Sequence, residues 1–163
     1  MRGVKNVEKT DRIIAAISGG FLLPTFQFAY GEGKLVLHIV LLLALFIAFD
    51  WVAGRSAAKK DGTYASEYGR QGVYRTGIML AFPAAGNLMD VVLTGGIPVF
   101  FGLFVGGLFY HTLQSFTANL IRAGWDRWIP AWMLSGIADW VKDELDHKLA
   151  RALKRKTERT AEG

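Results

Sequence analysis

The 163-residue chain holds three histidines, His38, His111 and His147, and no two of them stand at metal-ligand spacing. Cysteine is absent, which excludes a thiol nucleophile, a Cys-ligated zinc site and a disulfide framework. No nucleophile elbow, Walker loop, HExxH helix or dinucleotide fingerprint occurs. The expectation is therefore a protein that is not an enzyme, with no metal and no cofactor. What stands out instead is a set of polar residues inside otherwise apolar runs: Gln27, Asp50, Asn87 and Asp90. At bilayer depth each such group is costly without a partner, which makes it a functional candidate. Asp90 admits two readings, a pore-facing or interchain hydrogen-bonding group, or a carboxylate close enough to the following turn to reach water. For Asp50 the simpler reading is pairing with Arg55 or Arg75 at a membrane boundary.

The runs themselves set the class. Residues 13–31, 35–49, 76–89 and 91–121 contain no Asp, Glu, Lys or Arg. A soluble domain keeps polar outer faces on its elements and rarely leaves so long a stretch uncharged. A spanning helix needs roughly 20 mostly apolar residues for a core about 30 Å thick. Four spans fit: 13–30, 35–51, 77–93 and 97–115. Gly31, Glu32 and Gly33 form one tight turn, and Thr94, Gly95 and Gly96 another, with Pro98 opening the next helix. The expected fold is an all-α integral membrane protein of two hairpins, residues 1–115, joined by a longer loop over 52–76. The N-terminus also has the outline of a signal peptide, with Ala29, Tyr30 and Gly31 as a cleavage site, but its apolar stretch is long for that role.

Orientation follows from the cations. Of 19 Lys and Arg, four precede the first span (Arg2, Lys5, Lys9, Arg12), five lie in the middle loop, nine run from Arg122 to Arg159, and Lys34 alone falls in a hairpin turn. Both termini are thereby expected in the cytoplasm, with the chain crossing the membrane four times. The net charge of +5 belongs to this topology, so no nucleic-acid partner is expected.

Residues 116–163 form an amphipathic segment, broken at Pro130, and four of the five tryptophans, Trp125, Trp128, Trp132 and Trp140, lie in it. Tryptophan favours the headgroup boundary. The expectation is one or two helices on the inner membrane surface, anchored by these rings, with a cytoplasmic helical lid as the other reading. Small residues mark candidate helix contacts: Gly102 and Gly106, Ala44 and Ala48, and Gly77, Ala81 and Ala85 at four-residue steps. Ordinary packing within the monomer is the favoured explanation of these.

The stretch between the hairpins carries a family likeness. Asp50, Ala53 and Gly54 close the second span; Ser66, Gly69, Arg70 and Gly72 follow; Arg75 opens the third span, which holds Asp90. Ser115, Asn119, Gly124 and Pro130 come after the fourth. This order resembles the toxin-secretion and phage-lysis holin family over about residues 35–133. Thr76 stands where a second basic residue is usual, and Ala118 where a glutamate is usual. Read without the family, Gly69 and Gly72 permit tight backbone, and Arg70 and Arg75 hold the loop at the headgroups; a solvated connector is the alternative.

The resemblance implies a homo-oligomer in the membrane lipid that opens a lesion for an endolysin or a protein toxin, without stable contact with that cargo. Two other classes compete: a fixed oligomeric channel or small transporter subunit, and a membrane scaffold or antiholin regulator acting through the Trp-rich tail.

Overall fold

The computed structural model describes residue 16 and residues 18–161, with the side chains of 18, 66–68, 152 and 155–161 left out. The expected N-terminal cations and the start of the first span therefore lie outside the described residues, as does the side chain of Ser66. All regular structure among the described residues is helical, with no strand. After a π turn at Ser18–Leu22 come α1 (Leu23–Tyr30), α2 (Lys34–Lys60), α3 (Ser66–Leu93), α4 (Phe100–Ala123) and α5 (Ala131–Ala161).

Among the described residues, two helices are long and apolar enough to cross a membrane, α2 and the Gly69–Leu93 part of α3. Only 22% of each apolar window is buried within the chain. A core helix of a soluble protein hides most of its apolar surface; these leave Leu35, Leu41, Leu45, Ile78, Val91 and Val92 exposed. In α4, Tyr110, His111, Gln114 and Asn119 dilute the apolar composition.

The two turns fall where expected, but the middle loop does not. Residues 52–76 are helical except for 61–65. The apolar run ends near Trp51, whereas the helix continues through Ala53, Ala57, Ala58, Lys59 and Lys60, which are polar or small but good helix formers. Likewise α4 continues past Ser115 to Ala123 and stops at Gly124, whose φ of 79° supplies the left-handed cap.

α4 packs in parallel with α2, Phe46 against Phe109 and Ala53 against Leu113 and Phe116. Leu43, Ile47 and Met79 form a second core with Leu108 and Phe109. α3 meets α4 most closely at Gly86, where a Cβ would lie 2.9 Å from the Phe100 backbone. Backbone does not yield as a side-chain tip does, so Gly86→Leu is expected to force the hairpin apart. Overpacking of this kind costs about 1–3 kcal/mol or more, read as a fall in thermal stability of the detergent-solubilised protein.

The chain turns at 124–130, and α5 runs back along α4. Leu134 and Ala138 bury against Leu113, Phe116 and Leu120, and further on Leu145 meets Gly106. Part of its apolar surface thus finds a protein partner, while Met133, Ile137 and Trp140 stay exposed.

Candidate functional site

Asp50 is the centre of a polar cluster that joins three helices. It sits one turn before Ala53 and Gly54, on the α2 face turned to α4. The two small residues let α4 approach, and Ser115 and Asn119, four apart on α4, then present to the same carboxylate. Ser115 Oγ and Asn119 Nδ2 each donate to Asp50 Oδ1 at 2.8 Å. Arg75 of α3 reaches Oδ2 at 3.5 Å. Asp50 is 7% exposed, while half of the Arg75 side chain is open. The expected pairing of Asp50 is thus made by Arg75; Arg55 instead lies over the Trp51 ring at 5.0 Å.

The network extends both ways. Arg75 Nη2 lies 3.3 Å from His111 Nε2. Asn119 Oδ1 accepts from Arg122 at 3.1 Å, and Arg122 pairs with Asp61 at 2.6 Å, tying the end of α4 to the connector after α2. Beside the cluster a cleft of about 330 Å³ is lined by Asp50, Trp51, Gln71, Gly72, Arg75 and Asn119. Gly72 gives room to the Trp51 indole, whose Nε1 is buried without a hydrogen-bond partner. Chemically the arrangement is a clamp. One carboxylate satisfies two neutral donors and a guanidinium from different helices, with no nucleophile–base pair. No group of His, Asp and Glu suited to a metal ion occurs among the described residues.

Of the motif residues, Asp50, Gly54, Gly72, Arg75, Ser115 and Asn119 are brought together, and Ala53 packs beside them. Gly69 is not part of the cluster; nothing lies within 4 Å of the Cβ it lacks.

Asp90 fits neither expected reading. It is 2% exposed and caps the next helix. Its Oδ1 accepts from the Val99 and Phe100 amides at 3.0 and 2.8 Å, and its Oδ2 from Phe101 at 2.9 Å. Those amides are the donors a helix start leaves unmatched, and the dipole there favours a negative charge. Asn87 serves the opposite kind of end, donating Nδ2 to the carbonyls of Ala29 at 3.2 Å and Phe28 at 3.4 Å in the last turn of α1. Gln27 is half-buried in α1.

The small-residue stripes do not pack within the chain as expected. Ala48, Ala81 and Ala85 are exposed, Ala44 is half-buried, and Gly77 and Gly102 face open space. Gly106 is covered, by Leu145. The close contact at Gly86 escaped sequence reasoning; its place near Pro83, among alanines in an apolar run, was the available signal. Trp125 packs on the core, while Trp128, Trp132 and Trp140 are exposed.

The bacteriophage holin family matches residues 27–140, which takes in all of α2, α3, α4 and the first third of α5. The chain belongs to the bacteriophage holin family. Holins are membrane proteins without enzymatic activity, so this holin is membrane-associated and its apolar outer surface is accounted for. No curated protein and no solved structure gives a significant match.

Proposed function

We propose that this holin self-associates in the bacterial cytoplasmic membrane and opens a lesion through which an endolysin or a protein toxin leaves the cell. The four apolar segments cross as two hairpins, with the connector at 61–65 inside and both turns outside. Until a lesion exists both termini stay in the cytoplasm, and the charged α5 stays at the inner surface, where its tryptophans anchor it. The observation that carries this reading is the open small-residue surface of a membrane-embedded monomer. Gly77, Gly102, Ala81 and Ala85 are unoccupied by the chain's own side chains, and close helix approach in lipid uses such residues. A second copy is the partner that fills them. The test is release of a folded cytoplasmic enzyme from cells expressing the protein. Timed passage of the enzyme supports a large lesion. Loss of ions with the enzyme retained, and a reproducible single-channel conductance, would assign a fixed channel instead.

A further inference from the structure

α5 carries its charge to a depth where lipid offers no solvent. Leu108 and Phe109 of α4 pack on Leu43, Ile47 and Met79, near the middle of α2 and α3. Gly106 lies within one turn of them, and the Leu145 side chain fills the space its missing Cβ would take. The contact is continuous with the burial of Leu134 and Ala138 against Leu113, Phe116 and Leu120. A helix rises about 1.5 Å per residue, so α5 climbs about 10 Å between Ala138 and Leu145. Over that climb it exposes Asp139, Lys142 and Asp143, and just beyond it Asp146. Within α5 Lys148 and Arg151 pair with Glu144, at 3.6 Å each. With α2 and α3 across a bilayer, the four groups stand between the inner boundary and the midplane. Charges at that depth face a water-filled cavity or a protein partner.

We propose that α5 docks on α4 as the lesion forms, and that Asp139, Lys142, Asp143 and Asp146 line its water-filled passage. This rests on the holin reading above and names the wall of the lesion. The docked helix gives Leu134, Ala138 and Leu145 to α4; of the surface left over, Met133, Ile137 and Trp140 form an apolar flank, and Asp139, Lys142, Asp143 and Asp146 form a mixed-sign flank suited to water. Before assembly no water reaches that depth, and α5 remains at the inner surface. Once the passage opens, the Gly106 notch and the Leu113–Leu120 face hold the helix in place.

The chain has no cysteine, so introduced thiols report cleanly. The G106C/L145C variant, and L113C/A138C as an independent pair, are oxidised in membranes sampled before and after enzyme release. Most of the free thiol is expected to convert to an intramolecular disulfide in step with release, and little before it. In parallel, a spin label on A138C should lose its collisions with lipid-dissolved oxygen as the helix docks, while one on D146C keeps its collisions with a water-soluble nickel chelate. Release without cross-linking of either pair overturns the proposal. So does a D146C label that passes into an oxygen-rich environment or an A138C label that never becomes shielded, and so does full cross-linking before any release. Absence of release by the unaltered protein instead rejects the holin reading itself.

Discussion

Asp90→Ala will cost the protein more stability than any other single substitution in α3. The carboxylate is the acceptor for three consecutive amides, Val99, Phe100 and Phe101, at the start of α4. It is 2% exposed, so water does not replace it. A buried donor left without an acceptor costs about 1–3 kcal/mol, and a charged acceptor makes the native bonds stronger than neutral ones. Three such losses at one helix end are not additive, and the expected total is about 3–5 kcal/mol. Asp90→Asn should recover part of this, because an amide oxygen still accepts but no longer places a charge at the dipole's positive end. Unfolding in mixed detergent micelles measures the order: unaltered protein, then the asparagine variant, then alanine. Equal stability of all three would show that the cap contributes nothing.

Asp50→Ala should be the most damaging change in the cluster that joins α2, α3 and α4. It leaves Ser115 and Asn119 without their acceptor and Arg75 without its counter-ion. Hydrogen bonds to a charged group contribute about 1.5–3 kcal/mol, and breaking a buried charged network from its centre costs about 3–5 kcal/mol. The half-exposed Arg75, at 3.5 Å, is worth far less, since exposed pairs contribute about 0–1 kcal/mol. The expected order of loss is Asp50→Ala, then Asn119→Ala and Ser115→Ala, then Arg75→Ala. A double-mutant cycle on Asp50 and Asn119 should show clear coupling, and one on Asp50 and Arg75 little. A dominant Arg75 effect would mean that the ion pair, not the α2–α4 hydrogen bonds, holds the helices together.

The sequence carried the membership of this cluster better than its meaning. Asp50, Arg75, Ser115 and Asn119 stand out because each is polar beside an apolar run, and the fold gathers them. Asp90 stands out for the same reason, yet its role was illegible. Its partners are backbone amides nine to eleven residues later, across a turn, and backbone donors leave no mark in side-chain identity. The connector was drawn too long because the apolar pattern reports depth in lipid, whereas Ala57, Ala58 and Lys59 continue a helix after that pattern stops. For α5, sequence spacing picks out Met133, Ile137, Trp140, Val141, Leu145, Leu149 and Leu153 as the apolar face, yet Leu134 and Ala138 are the residues buried against α4, while Met133, Ile137 and Trp140 stay exposed. Gly86 shows the converse limit, since a glycine that admits another helix's backbone looks like any other glycine until that helix is in place.

All of these effects assume that α2, α3 and α4 cross the bilayer with residues 61–65 inside and Glu32 outside. Single cysteines at Glu32 and Thr63, in an otherwise cysteine-free chain, test this with a membrane-impermeant maleimide on intact cells before any release. The prediction is rapid labelling at residue 32 and protection at residue 63 until the membrane is permeabilised. Labelling at residue 63 on intact cells, or protection at residue 32, would contradict the account.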